Sequence, residues 1–175
     1  MRRQRRASIP AAAIGLLVLA GPVGAVTPAT VVLQTGLPNH GLTPGAWNLA
    51  VTQATIHSTI CVVGWTATIR PTTSYTNVLK VAQLKSYGYV DQLVGDYEED
   101  HLISLELGGS PRSSNNLWPE RHRIKVGNLD LGSFTKDGFE THLKTLVCSG
   151  KLTLNKARAE IAGNWVAYWK AWKGY

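Results

Sequence analysis

YEEDHLISLELGGSPRSSNNLWPE, residues Tyr97 to Glu120, decides how this 175-residue chain folds. It places an Asp-His pair, Asp100-His101, before a double glycine, Gly108-Gly109, and an asparagine, Asn116, beyond it. Leu102 to Leu107 (LISLEL) reads as a short strand, and Gly108-Gly109-Ser110-Pro111 as the turn that reverses it. The excursion from His101 to Asn116 is then hairpin-like and returns Asn116 to the side of the Asp-His pair. Adjacent strand residues face opposite sides, so Asp100 and His101 share one site only where the chain twists or bulges.

These residue types suit phosphodiester hydrolysis. A base must take a proton from water, and a cation must hold the charge that builds on the phosphorus oxygens. His101 qualifies as the base because imidazole titrates near neutrality. Asp100 qualifies as a cation ligand.

Asp100-His101, Gly108-Gly109 and Asn116-Leu117 resemble the His-Asn-His (HNH) nucleases, whose site is two strands and a helix folded around one metal. More narrowly, YEEDHLISLELGG followed by NNLWPE looks like a group of small secreted bacterial HNH-like proteins. The core likeness covers Tyr97 to Glu120, with a looser one from Thr43 to Trp165. Ser104 stands where many members of that group have proline. The resemblance implies His101 as general base, Asp100 as metal ligand, and Asn116 as a second ligand or a brace for the loop.

In such nucleases the closing ligand comes from the helix after the asparagine. Here the choices are His122, Asp137, Glu140 and His142. Glu140 is preferred, because Lys136, Glu140 and Leu143 fall three or four residues apart and share a helix face looking back at the loop. An oxygen-rich set of Asp100, Asn116 and Glu140 favours Mg²⁺ or Mn²⁺, whereas ligation by His122 or His142 favours Zn²⁺ or Ni²⁺.

The length allows one domain with a real core. Residues 1–25 read as a signal peptide: four arginines in Met1 to Arg6, an apolar run Ile9 to Ala20, and small residues at Val23-Gly24-Ala25. Residues 26–42 read as a flexible exported segment, and 43–175 as the HNH-like domain with its motif core at 97–145. The apolar run is too short and too proline-broken to span a membrane. Without those four arginines the formal charge of +7 drops to +3, with fourteen Lys and Arg against eleven acids. The positive charge sits with the motif: Arg112, Arg121 and Arg123, with Lys125, form a candidate phosphate-binding patch.

Cys61 and Cys148 are the chain's two cysteines. An even count in an exported protein favours a disulfide, which across this loop contributes on the order of 4 kcal/mol. Neither lies in a CxxC.

ATIHSTICVVGWTATIR (residues 54–70) reads as strand or extended structure around a Gly64 turn. Residues 74–85 read as a helix with Val78, Val81 and Ala82 or Leu84 as its apolar stripe. Phe139, Leu143, Leu146 and Val147 mark another helix that Gly150 stops. Ile161, Trp165, Tyr168, Trp169 and Trp172 mark a last one, whose stripe docks on the core with Trp172 and Tyr175 as its exposed members. His40 and His57 are structural or incidental, Arg70 before Pro71 is a solvated or paired strand end with a phosphate contact as the alternative, and Trp118-Pro119 is a packing corner.

The sequence therefore predicts a small α+β domain with a ββα core, additional N-terminal strands and two C-terminal helices. It is expected to be a secreted, monomeric, divalent-metal-dependent endonuclease, with DNA ahead of RNA as its partner. The alternative is an exported binding module on the same scaffold.

Overall fold

A computed structural model describes residues 35–175. The expected signal peptide and most of the expected flexible segment lie outside these residues. From Thr35 to Leu42 the chain is held: the Gly36 carbonyl accepts from Trp165 Nε1 at 2.7 Å, and Leu37 packs on the core.

Two antiparallel strands centre the fold. Strand β1 is Tyr97–His101 and β2 is Leu117–Arg121, with Asp100 opposite Trp118 and His101 opposite Leu117. The expected strand over Leu102 to Leu107 is not there. Leu102, Ile103, Leu105 and Leu107 are all buried, so the segment lacks the one-face-in alternation that a half-buried strand requires. It leaves the sheet and closes as a 3₁₀ turn over Leu105–Leu107. The strand pairing falls instead on YEEDH, a charged stretch of poor strand propensity that β2 holds in register. A second small sheet pairs β3 (Lys125–Val126) with β4 (Leu129–Asp130).

Residues 54–70 carry no strand. They form a 3₁₀ turn at Ile56–Ser58 and a short helix, α1, at Trp65–Ile69. Alternation fails here as well: Val62 and Val63 are adjacent and both exposed, whereas Ile56 and Ile60 enter the core. Pro71 ends α1, because the residue before proline is driven out of the helical region, and Arg70 sits at ψ 130°.

Helix α2 spans Thr73–Ser86. Its buried face is Lys80, Gln83 and Leu84, while Val78 and Val81 of the expected stripe face solvent. The reason is polar: Lys80 Nζ donates to the Tyr97 carbonyl of β1 at 2.6 Å, which fixes how the helix is rotated.

Helices α3 (Ser133–Cys148) and α4 (Leu154–Lys173) match the two expected C-terminal helices. Phe139, Leu143 and Val147 of α3 interlock with Ile161, Trp165 and Trp169 of α4 in the main core. Tyr168, Trp172 and Tyr175 remain exposed. Cys61 and Cys148 form a disulfide that ties the N-terminal region to the end of α3 across 87 residues. A second, aromatic-rich cluster of Leu84, Tyr87, Tyr89, Tyr97, Leu102 and Trp118 joins α2 to the sheet. Among the described residues no helix is long and apolar enough to cross a membrane.

Candidate functional site

The loop between β1 and β2 is built around Asn116, which is fully buried. Its Oδ1 accepts from the Ile103 N–H at 2.9 Å and the Ala46 N–H at 3.4 Å. Its Nδ2 donates to the carbonyls of Ile103 (3.0 Å) and Ser110 (3.1 Å). One carboxamide thus replaces the ladder bonds lost where the chain leaves the sheet. Of the two roles open to Asn116 from sequence, this geometry is that of the brace, since its oxygen already faces two backbone donors.

Gly109 has to be glycine. A Cβ there would lie 1.7 Å from the Ile103 carbonyl oxygen, and Gly108 beside it adopts φ +72°. Arg158 of α4 holds the same loop, its Nε donating to the Leu107 carbonyl at 2.8 Å and Nη2 to Val51 at 3.0 Å. Nothing in its spacing marked that role.

His101 ends β1, and its Nε2 lies 3.1 Å from the Pro111 carbonyl. A carbonyl only accepts, so Nε2 carries the proton and Nδ1 is the basic position. Burial lowers the imidazole below the ordinary histidine value, against the opposing pull of the Asp100 charge and the Pro111 carbonyl. The shift favours the neutral ring.

Two cavities, of about 260 and 290 Å³, meet at His101. Arg70, Glu98 and His101 line both. The first continues along Thr73, Asn77, Lys80, Glu99 and His122. The second is acidic, with Asp100, Glu106, Asp137 and Glu140. His101, with Arg70 and Glu98, is the wall that the two cavities share, and together they make up the candidate cleft. Asp100 and His101 both reach it because the strand ends there, although their side chains leave β1 on opposite sides.

Behind the acidic part stands Lys136 of α3, fully buried. Its Nζ donates to Asp100 Oδ2 at 2.6 Å, to the His101 carbonyl at 2.8 Å, and to Glu140 Oε1. Burial works against a charged Asp100, yet Lys136 holds its carboxyl below the usual range. Burial pushes Glu140 up to about 8, the Lys136 charge opposing. Burial, with the Asp100 charge adding, pushes Glu98 up to about 7 and Glu99 up to about 8. Glu120, buried beside this group, is raised well above its ordinary value by burial and by the Asp100 charge, its carboxyl hydrogen-bonding to Asp100, while the Glu99 oxygens find no hydrogen-bond partner among the described residues.

The expected metal set of Asp100, Asn116 and Glu140 is not gathered around a common point. Asn116 is turned into the loop backbone, and the point between Asp100 and Glu140 is occupied by Lys136 Nζ. Among the described residues no group of three His, Cys, Asp or Glu side chains is arranged to hold a metal ion. Of the other closing candidates, Asp137 lines the acidic cavity and His122 the other one. His142 lies outside the cleft, stacked on Trp172 at 4.0 Å.

The expected phosphate-binding arginines are engaged elsewhere. Arg121 bridges Asp91 and Asp96 and lies over the Tyr97 ring. Arg123 pairs with Asp130 at 2.9 Å. Arg112 rests on Tyr75, 5.1 Å from the ring centre. The arginine that lines the cleft is Arg70, exposed and with no ion pair among the described residues. Its place just before Pro71 and the start of α2 was the signal available from sequence.

No protein-family model matches the chain, and neither the curated proteins nor the solved structures hold a match. What fold and site define is a small α+β protein with a buried histidine on the wall between two polar cavities.

Proposed function

We propose that the chain is a phosphodiester hydrolase acting on nucleic acid, DNA ahead of RNA, with His101 as its general base. The observation that carries this reading is the His101 imidazole on the wall shared by the two cavities, its Nε2 held by the Pro111 carbonyl so that Nδ1 is the basic nitrogen. His101 Nδ1 takes a proton from water as the water oxygen bonds to phosphorus. The bond from phosphorus to the leaving sugar oxygen breaks, and that oxygen needs a proton. Glu98 is suited to donate it, lining both cavities with its carboxyl pushed up to about 7. Arg70 is suited to hold the phosphate oxygens from the same walls.

The order β1, loop, β2, then α3 after the short β3–β4 hairpin, with Asp100-His101 on the first strand, supports an HNH-like descent for the site. The Cys61–Cys148 disulfide supports an exported protein, since such bonds persist in oxidising compartments.

The test is cleavage of plasmid DNA and of RNA by the purified chain beside His101→Ala. Cleavage by wild type that the variant loses is the expected result. A wild type that binds nucleic acid without cutting it would favour an exported binding module.

A further inference from the structure

A metal-dependent hydrolase places a divalent ion between its carboxylates. In this chain the place between Asp100 and Glu140 is taken by the Lys136 ammonium. We infer that Lys136 is the built-in cation of the site and that the chain hydrolyses phosphodiesters without a divalent metal. This inference rests on the hydrolase reading.

The geometry is saturated on the lysine side. An ammonium has three donors, and Lys136 meets three acceptors: Asp100 Oδ2 at 2.6 Å, the His101 carbonyl at 2.8 Å, and Glu140 Oε1. An ion bound jointly by those two carboxylate oxygens would overlap Nζ. A dication beside them would meet the repulsion of an ammonium with no exposed surface through which to move aside.

Burial also separates two tasks that a metal would combine. Lys136 neutralises Asp100 and, through the His101 carbonyl, fixes the strand end that carries the base, so it is a positioning residue. It cannot touch a phosphate. The charge that faces substrate is Arg70, on the shared wall of the two cavities.

The full chain, stripped with EDTA, is titrated with Mn²⁺ by calorimetry and by the spectroscopic signal of free Mn²⁺. In parallel it is assayed on plasmid DNA and bis(p-nitrophenyl) phosphate, in EDTA and with added Mg²⁺, Mn²⁺ or Zn²⁺. Expected are no stoichiometric Mn²⁺ binding and no loss of cleavage in EDTA. Lys136→Ala, which vacates the position between two carboxylates, is expected to gain Mn²⁺ binding, and a folded variant without that gain counts against the inference. Should the variant fail to fold, the wild-type titration decides alone. Stoichiometric Mn²⁺ binding by wild type that Asp100→Asn removes, or cleavage that EDTA abolishes, overturns it. If nothing is cleaved under any condition, the hydrolase reading fails, and the Mn²⁺ titration still decides the role of Lys136.

Discussion

Lys136 Nζ stands 2.6 Å from Asp100 Oδ2, the ammonium fully buried and the carboxylate nearly so. This pair ties α3 to the end of β1 and sets the charge behind His101. A buried pair is costly to assemble but far costlier to break, since removing one partner strands the other.

Lys136→Met is therefore expected to destabilise the protein by about 3–5 kcal/mol near neutral pH, with the buried Asp100 left without its cation. Urea unfolding of wild type and variant measures this. A variant as stable as wild type would mean that the pair contributes nothing to holding α3 on the sheet.

Asn116→Ala removes four hydrogen bonds to backbone groups at once, three in the β1–β2 loop and one to the Ala46 N–H. Leaving those groups buried and unpaired is expected to cost about 3 kcal/mol or more, with loss of cleavage as the loop releases the Pro111 carbonyl from His101. Asn116→Asp, which keeps the acceptor and loses the donors, is expected to fall between. Denaturant melts and cleavage rates check both.

Glu99 gives a prediction in pH. Its carboxyl is pushed up to about 8 by burial, from an ordinary value near 4.5. Between those values the folded state keeps a proton that the unfolded state has released, so stability falls as pH rises through the window. Glu99→Gln keeps the shape and removes the titration. It is expected to match wild type at pH 4 and to exceed its stability at pH 9 by a margin on the order of a few kcal/mol. Thermal melts across that range measure the slope, and equal slopes in the two proteins would contradict the assignment.

Arg70 and Arg121 separate substrate contact from surface pairing. Arg70→Ala, at an exposed residue without an ion pair among the described residues, is expected to change stability by less than about 0.5 kcal/mol while raising KM for DNA and weakening its salt dependence. Arg121→Ala, which gives up bridges to Asp91 and Asp96, is expected to lose at most about 1 kcal/mol of stability and to leave KM unchanged.

Much of the site was legible because it is local. Asp100, His101, the double glycine and Asn116 lie within one excursion of the chain, and the spacing of Lys136, Glu140 and Leu143 placed all three on the buried face of α3. The two C-terminal helices followed from long 3.6-residue periods. What was not legible depended on partners distant in sequence. LISLEL has the composition of a strand, but its leucines fill two sides of the core. Val78 and Val81 look like a core stripe until Lys80 finds the Tyr97 carbonyl and turns them outward. Arg121 and Arg123 look free for phosphate until Asp91, Asp96 and Asp130 fold against them. Lys136 is the sharpest instance. The spacing set it on the right face, but only the folded chain shows its ammonium between the two carboxylates expected to hold a metal.

The central claim is that His101 is the base, and rescue of His101→Ala by imidazole tests it most directly. Wild type is expected to cleave plasmid DNA and the variant to lose about 10²–10⁴-fold in rate. Added imidazole is expected to restore part of that loss, with a rate that rises with the unprotonated imidazole concentration. A variant that cuts as fast as wild type, or one that imidazole leaves inert while its melting curve matches wild type, would contradict the account.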